Sequence, residues 1–479
     1  MSAASDGSRP PDPFFESPPP ATAYGRRILL ISGNFPPSRA VGGLRWQKMS
    51  QFAAERGWGT DVISASPPST NQDPERLHDL PPGLRIYATR HPGPVGEEVV
   101  AAVLRMLRSR RTAAAPRLAS GAASPPAAVS AGLESVARED VRGFRVWERR
   151  DVLRAVTSSR WIAGELTWVH RLVAVGRRVL GPAHRVIVTS GPPHFAHVGG
   201  YRLSRASGLP HVVDFRDPWG LTERLPGGIA SPLYVRAVRH YETPVLQHAT
   251  LIVANTELAA RALRAAHPRL ADRIVTVMNG SDDETPPTVE RDPRFLIAYA
   301  GAIYFDRDPR LLFRAAKRVI TELGITPEQF GMELMGHVDP PSLPVMELAR
   351  QEGVEAFVRY HPPGSRSAAA RLLASASLLV SLPQDTETAI PSKIFEYAMN
   401  DAWLLALAKR GSASALVLEG SAADLVAPND VDGIAEVLRR HYREFSEGVR
   451  PRAVGADGRF SRRRQGELML DHLERLTSR

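Results

Sequence analysis

The sequence of 479 residues contains no cysteine. This absence excludes disulfide bonds, thiolate nucleophiles and metal sites with cysteine ligands, and it fits a cytoplasmic protein. No apolar run reaches about 18 residues, so we predict no transmembrane helix. Residues 1–23 have neither a basic start nor an apolar stretch, and they are not predicted to be a signal peptide. The 14 histidines show no HxxxH or HExxH spacing, so we predict no metal site.

Basic residues outnumber acidic ones, which gives a formal net charge of +10 that comes largely from arginine. One explanation is a GC-rich coding bias, and the other is an anionic partner such as a phosphorylated ligand, a lipid head-group surface or a nucleic acid. The arginines are dispersed and no pattern of stacking aromatic residues accompanies them, so we expect no nucleic-acid partner.

The length predicts more than one domain, because a single hydrophobic core rarely extends over 479 residues. Residues 1–24 are rich in proline and serine and predict a disordered tail. Residues 111–140 are a low-complexity stretch of alanine, serine and proline, typical of an insertion. Before it, "VVAAVLRMLRSRR" (99–111) predicts a basic amphipathic helix, which is either an ordinary surface helix or one that lies on an anionic membrane.

The rest of the chain alternates short apolar runs with helical periodicity, which predicts two α/β domains in tandem. The polar, proline-containing segment 281–293 separates them. We therefore predict Rossmann-like, doubly wound parallel sheets in an N-terminal domain (25–285) and a C-terminal domain (286–460), followed by a C-terminal helix (461–479) that crosses back to the first domain. Ligands of such sheets bind at the carboxyl ends of the strands, and the cleft between two facing domains is the expected site.

Two loops of the first half contain candidate site residues. In "SGNFPPSRAVGG" (32–43), Gly42 and Gly43 would let the backbone approach an anionic ligand, although a plain loop is an equally good interpretation. In "DFRDPWG" (214–220), charged residues end a buried strand. Asp214 or Asp217 could pair with Arg216, or these residues could orient a hydroxyl group and stabilise a leaving phosphate.

The segment "AIPSKIFEYAM" (389–399) predicts a helix whose polar and apolar residues separate clearly. Ile394, Phe395 and Ala398 would pack inward, Pro391 would lie in the first turn and Ser392 would help to cap it. Lys393 and Glu396 are three residues apart and share a face.

The lysine, together with the positive end of the helix, suits a diphosphate, and the glutamate could accept hydrogen bonds from a ribose diol. An intrahelical salt bridge without a function is the alternative. In "DRD" (306–308), Asp308 precedes a proline and is interpreted as a helix cap rather than as part of a metal-binding DxD motif.

Five segments between residues 26 and 460, taken together and in their order along the chain, resemble those of retaining glycosyltransferases of the GT-B fold, family 4. These segments are "GNFPPSRAVGGLRWQKMSQFAAERGW", "SGPPHFAHVGGYRLSRASGLPHVVDFRDPW", "LIVANTE", "YAGAIY" and "IPSKIFEYAM". Similar proteins hold a nucleotide sugar mainly with the C-terminal domain. The resemblance implies donor contacts at Gly42, Gly43, Gly301, Arg307, Lys393 and Glu396, acceptor contacts at His194 and Asp214, and catalytic roles for Arg216, Asp217 and Lys393.

The chain departs from the family pattern at three places. Thr388 stands where the first glutamate of the paired-glutamate motif is expected, with Glu387 next to it but out of register. Arg216 stands at the position of the catalytic histidine found in many relatives, and Arg307 is the nearest candidate for the cation that clamps the diphosphate.

The resemblance implies transfer of a sugar from a nucleotide-sugar donor to a hydroxyl of a glycan or lipid-linked acceptor, with retention, without a cofactor or metal, and without a protein nucleophile. Fixed positive groups would neutralise the leaving phosphate. A sugar-nucleotide 2-epimerase of the same fold and a non-catalytic relative that binds an anionic surface are the alternatives. The expected location is cytoplasmic, either free or peripheral on the inner face of the membrane.

Overall fold

The computed structural model describes residues 11–66, 72–91, 149–221, 231–282, 285–303, 307–338, 344–382 and 387–478. The predicted basic helix at 99–111 and the predicted insertion at 111–140 lie outside these ranges. Contacts divide the chain into two compact units. The first consists of Met1–Asn255, Ala260–Thr276 and Met469–Arg479, and the second of Thr256–Ala259 and Val277–Leu468.

The first unit is built on a sheet that, within the described residues, has eight strands in the order β1-β4-β3-β2-β5-β6-β7-β8. All neighbours are parallel except β1 and β4. The strands are β1 (Phe15–Glu16), β2 (Arg26–Ser32), β3 (Trp58–Ala65), β4 (Arg85–Thr89), β5 (His184–Gly191), β6 (His211–Phe215), β7 (Leu251–Ala254) and β8 (Ile274–Thr276). The helices between them are α1 (Leu44–Glu55), α2 (Arg149–Val179), α3 (Phe195–Ser207), α4 (Pro232–His248) and α5 (Glu257–Ala266).

The second unit is built on a parallel sheet with the order β11-β10-β9-β12-β13-β14 in the part of the chain that the structure describes. Its strands are β9 (Phe295–Ala300), β10 (Phe330–Met335), β11 (Val358–His361), β12 (Leu378–Ser381), β13 (Trp403–Leu407) and β14 (Asp424–Val426). The helices that follow β8 are α6 (Arg310–Leu323), α7 (Val345–Gln351), α8 (Arg366–Ser375), α9 (Ser392–Tyr397), α10 (Ala413–Leu418), α11 (Val431–Ser446) and α12 (Arg462–Thr477). The last helix belongs to the second unit up to Leu468 and to the first unit from Met469.

The short strand β1 lies inside the segment that the composition predicts to be a disordered tail, so that prediction is wrong for Phe15–Glu16. The backbone N–H of Phe14 donates to Ile86 O at 2.7 Å, and that of Ser17 donates to Leu84 O at 2.9 Å. Without β1, the strand β4 would be an open edge with unpaired backbone groups, and this pairing satisfies them.

The strand orders confirm two doubly wound α/β sheets. Apart from the edge strand β1, the chain enters each sheet in the middle, builds towards one edge and then reverses. The reversal falls between β2 and β5 in the first sheet and between β9 and β12 in the second. At such a switch point the connections leave in opposite directions, which opens a crevice at the carboxyl ends of the two strands.

The strand β9 shows why its sequence is continuously apolar. Phe295, Ile297 and Tyr299 pack on one face of the sheet in the core that includes residues of α6 and α11. Leu296 and Ala298 pack on the other face, in the core that includes residues of α8 and α9. Both faces of the strand are covered, as in parallel sheets generally. Among the helices described here, none is long and apolar enough to cross a membrane.

Candidate functional site

The helix α9 is fastened to the carboxyl end of β9. The hydroxyl of Tyr397 accepts a hydrogen bond from Ala300 N at 2.9 Å and donates to Ala300 O at 3.1 Å. Ile394, Phe395 and Ala398 are buried, as the sequence predicts. The helix begins at Ser392, one residue later than predicted.

Pro391 is therefore the residue before the helix, and no side chain caps the helix. The predicted place of Pro391 in the first turn and the predicted cap at Ser392 are both wrong. The burial of Ile394, Phe395 and Ala398 and the two hydrogen bonds of the Tyr397 hydroxyl hold this short helix in place.

Lys393 lies one turn before Tyr397 and is brought to the end of the same strand. A side chain at position 301 would overlap Lys393 Nζ, so the lysine occupies space that is free only because residue 301 is glycine. Gly336, at the end of the neighbouring β10, has φ of +146° and would overlap the backbone of Gly301 if it carried a Cβ. Two glycines thus allow the strand ends and the lysine to pack closely.

The Lys393 amine is buried and has no hydrogen-bond partner among the described residues. It lies 4.6 Å from the centroid of the Tyr299 ring, a cation–π contact. The predicted alternative, a salt bridge with Glu396, is therefore not formed. Burial and the nearby charge of Arg307 lower the pKa of Lys393 to about 8, while Glu396 acts in the opposite direction. A buried cation without a partner is costly unless an anion binds beside it.

A cavity of about 360 Å³ adjoins this corner of the second sheet. Gly301, Gly336 and Glu396 line it, together with backbone and side chains from the start of α8. Glu396 is exposed, so its carboxylate is free to accept hydrogen bonds from a ligand. The cavity is large enough for a nucleoside and includes the apolar side chains of Met335 and Leu373.

An ion cluster forms another part of the cavity wall. Asp282 contacts Arg462 Nε at 2.7 Å and Arg366 at 3.6 Å. The segment that contains Asp282 is fixed in place by backbone bonds between Ser281 and Phe460 and between Arg462 and Ser281, at 2.7 and 2.8 Å. Neither arginine is among the sequence predictions.

Arg307 lies after the end of β9, where the sequence predicts a diphosphate-binding cation. Its Nη1 is 3.5 Å from Ala302 O, and its charge acts on Lys393. Asp308 accepts a hydrogen bond from Arg310 N at 2.9 Å. The residue before α6 is Pro309 and no side chain caps this helix, so the predicted cap at Asp308 is wrong. The first aspartate of "DRD", residue 306, lies outside the described residues.

In the first unit, Arg216 connects three loops at the carboxyl edge of the sheet. Its Nε donates to Gly191 O at 3.1 Å and its Nη2 to Pro192 O at 2.6 Å. A side chain at position 42 would overlap the Arg216 guanidinium. Burial lowers the pKa of Arg216. The arginine is thus held by backbone carbonyls, and Gly42 is required to make room for it.

The glycines of the first loop serve close packing. A Cβ at Gly43 would lie 3.3 Å from Asn34 O, and one at Gly33 would overlap the ring of Pro193. The loops after β2 and β5, the two strands at the switch point, therefore touch directly. The predicted approach of Gly42 and Gly43 to a donor remains a prediction.

Asp214 has no exposed surface. Arg45 binds its carboxylate through Nε and Nη2, each at 3.0 Å, and Trp46 Nε1 and Ser190 Oγ donate to it at 2.7 and 3.2 Å. Its partner is therefore Arg45 and not Arg216. The predicted contact of Asp214 with an acceptor stays a prediction. The neighbouring Asp217 is exposed.

His194 precedes α3 and is stacked on Trp219, with ring centroids 5.5 Å apart and an interplanar angle of 13°. Burial and the charge of Arg216 lower the pKa of His194 to about 3, so the imidazole is neutral at physiological pH. Its Nδ1 is buried and has no partner in the described parts of the chain. His194 and Arg216 thus lie near each other at the same sheet edge. The predicted contact of His194 with an acceptor stays a prediction.

No protein-family model and no curated protein sequence matches the chain. Solved structures with the same architecture include sucrose-phosphate synthase from Thermosynechococcus elongatus, which is 11% identical over 95% of this chain and 99% of its own, with a TM-score of 0.60. HepE from Anabaena, solved with UDP and glucose, is 12% identical over 94% and 99%, with a TM-score of 0.56. The chain therefore has the GT-B fold. The UDP-forming trehalose-phosphate synthase from Burkholderia xenovorans, solved with glucose 6-phosphate, is 13% identical over 94% and 100%, with a TM-score of 0.51.

Proposed function

We propose that the chain is a glycosyltransferase that moves a sugar from a nucleotide-sugar donor to a hydroxyl of a glycan or glycolipid acceptor. The observation that carries this proposal is the buried amine of Lys393, which has no hydrogen-bond partner among the described residues and lies against Gly301, a residue that lines the same cavity as Glu396. A cation without a partner next to a nucleoside-sized cavity suits an anionic ligand, and a nucleoside diphosphate combines both features.

The donor site is proposed to lie in the second unit. The exposed carboxylate of Glu396 would accept hydrogen bonds from the ribose hydroxyls, and the diphosphate would bind beside Gly301, near Lys393 and Arg307. Structures of the same fold support this ligand class, because HepE was solved with UDP and a trehalose-phosphate synthase is described as UDP-forming.

In the proposed mechanism the bond between the anomeric carbon and the β-phosphate oxygen breaks, and its electrons leave with the phosphate. The acceptor hydroxyl forms the new bond to the anomeric carbon on the same face of the sugar and gives its proton to the leaving phosphate oxygen. Fixed positive charges that are in place before the reaction stabilise the leaving group without reorganisation. Lys393 and Arg307 would supply these charges, and retention without a metal is part of this proposal. The acceptor is proposed to bind the first unit near His194, with Asp217 in the catalytic role that the resemblance implies.

The proposal is tested by calorimetric titration of the full chain with UDP, GDP, ADP and dTDP, followed by release of the nucleotide from the corresponding nucleotide-glucose. One nucleotide should bind, and Lys393→Ala should weaken its binding at least tenfold and lower the release rate by about 10²-fold, as loss of a preorganised charge does. Lys409→Ala is the matched control, since Lys409 is exposed and pairs with Glu387 at 2.9 Å.

Binding of no nucleotide, or unchanged binding by Lys393→Ala, would overturn the proposal. Conversion of the nucleotide sugar into a different nucleotide sugar without an acceptor would instead support the isomerase. The cytoplasmic location and a peripheral attachment to the membrane stay predictions.

A further inference from the structure

Glu242 is a buried carboxylic acid on α4 with no role in the mechanism above. Its side chain is 6% exposed. Oε1 accepts a hydrogen bond from the backbone N–H of Gly220 at 2.9 Å. Burial raises the pKa of Glu242 to about 7, and the Gly220 N–H and the charge of Arg239 act against this rise. A carboxyl group is rarely buried without a specific partner, so this contact calls for an explanation.

The contact depends on the residue type at both ends. A Cβ at position 220 would overlap Glu242 Oε2, so the carboxylate lies directly against the glycine backbone. No residue with a side chain fits at 220 unless the carboxylate moves. The glutamate and the glycine therefore form a matched pair, 22 residues apart in the sequence.

The pair fastens one end of the loop that carries two predicted catalytic residues. At the other end, Arg216 bonds the carbonyls of the loop after β5. In the middle, Trp219 is buried, stacks on His194 and makes an edge contact with Phe195 at 5.4 Å between centroids. Asp217 is exposed between these fixed points.

We propose that Glu242 is a positioning residue that holds the loop 216–220 in place, and through it Arg216 and Asp217. The assignment of these two residues to a transfer site rests on the proposed function, whereas the attachment of the loop does not. Glu242 touches no predicted substrate group, so its removal should affect turnover and leave the affinity for the nucleotide in the second unit unchanged.

The experiment compares Glu242→Leu, Glu242→Gln and Gly220→Ala with the full wild-type chain. The first readout is hydrogen–deuterium exchange of peptides that cover residues 216–221. The second is the rate of UDP release from UDP-glucose, and the third is the calorimetric affinity for UDP. Gln247→Leu, an exposed position on the same helix, controls for a general effect on α4.

Glu242→Leu should speed exchange of the loop about tenfold, as loss of one buried hydrogen bond does. The release rate should fall at least tenfold at an unchanged UDP affinity. Glu242→Gln keeps an acceptor oxygen and should restore most of both properties. Gly220→Ala should resemble Glu242→Leu, and it keeps the test available if the leucine variant does not fold.

Unchanged exchange in Glu242→Leu and Gly220→Ala would overturn the attachment. Faster exchange with an unchanged release rate would overturn the positioning role. If the wild type bound no UDP and released none, the proposed function would fail for this donor, and the exchange measurement would still decide whether Glu242 holds the loop.

Discussion

Lys393 reaches the end of strand β9 because residue 301 has no side chain. A Cβ at that position would overlap the lysine Nζ, and the same amine has no hydrogen-bond partner among the residues that the structure describes. The positive charge at this corner of the second unit is therefore set by two residues that lie 92 positions apart in the sequence.

Because Lys393 fits only beside a glycine, Gly301→Ala should move the positive charge of Lys393, although alanine itself is neutral and small. The new methyl group would displace the lysine amine from its place beside residue 301, which lines the cavity. Nucleotide affinity should fall at least tenfold, close to the effect of Lys393→Ala, because both variants lose the same preorganised charge. Calorimetric titration of the nucleotide that binds the wild type measures this.

Gly364→Ala is the matched control on the same cavity. Its Cβ would meet the flexible Met335 side chain at 3.2 Å and displace no charge, so the affinity should change less than about threefold, within the range of a small packing adjustment. Equal losses in the two variants would show that the cavity merely tolerates no added volume.

The lowered pKa of Lys393 predicts a pH dependence of nucleotide binding. With a pKa of about 8, the lysine carries its charge below pH 8 and loses it above. A bound diphosphate favours the charged form, so affinity should be highest near pH 7 and fall by up to about tenfold per pH unit above 8. Lys393→Met should remove this slope between pH 7 and 9.5. Parallel slopes in both proteins would assign the effect to another group.

The sequence predicts the buried face of α9, because that face depends only on the spacing of residues that are close together in the chain. The spacing of Ile394, Phe395 and Ala398 predicts the buried face, and their burial confirms it. The role of Tyr397 cannot be predicted from the sequence, because its hydroxyl bonds the backbone of Ala300, 97 residues away. A sequence pattern contains no information about which backbone group a hydroxyl will meet. The exact start of the helix is also ambiguous in the sequence, since proline fits the residue before a helix as well as the first turn, and Pro391 precedes the helix.

In the first sheet, too, the sequence predicts the strands but not the contacts between residues that are far apart in the chain. Alternating strands and helices predict two parallel sheets, and the strand orders confirm them. The partner of Asp214 could not be chosen, because Arg216 is near in the sequence whereas Arg45 is near only after β2 and β6 are placed in one sheet. The tryptophan that follows Arg45 donates to the same carboxylate, and a Trp after an Arg at a helix start is the signal that could have been used.

The exposed carboxylate of Glu396 predicts a preference for ribonucleotides. A group that accepts hydrogen bonds from both ribose hydroxyls loses one of them when the 2′-hydroxyl is missing. UDP should then bind at least tenfold tighter than 2′-deoxy-UDP, since a hydrogen bond to a charged group contributes about 1.5–3 kcal/mol. Glu396→Ala should bring the two affinities within about twofold of each other. A preference that persists in this variant would assign ribose recognition to another residue.

Gly42→Ala should disturb the first unit through Arg216. The methyl group would overlap the guanidinium, which is held by two backbone carbonyls. We expect a loss of about 1–3 kcal/mol in unfolding free energy, typical of overpacking. Gly25→Ala is the control, because a Cβ there meets nothing within 4 Å. Equal stability of the two variants would show that Arg216 moves aside without cost.

The buried pair of Arg45 and Asp214 makes the sharpest stability prediction. Arg45→Met leaves a fully buried carboxylate whose remaining donors, among the residues that the structure describes, are the neutral groups of Trp46 and Ser190. The unfolding free energy should fall by about 3–5 kcal/mol, whereas the double variant Arg45→Met/Asp214→Leu should recover most of this loss, because an apolar pair buries no unpaired charge.

Urea denaturation followed by tryptophan fluorescence measures this effect in the first unit, since six of the seven tryptophans lie in residues 1–255. Arg205→Met, at an exposed arginine of α3, should change stability by less than about 0.5 kcal/mol. A double variant as unstable as Arg45→Met would mean that the loss comes from the missing arginine side chain, and that the unpaired charge of Asp214 costs little.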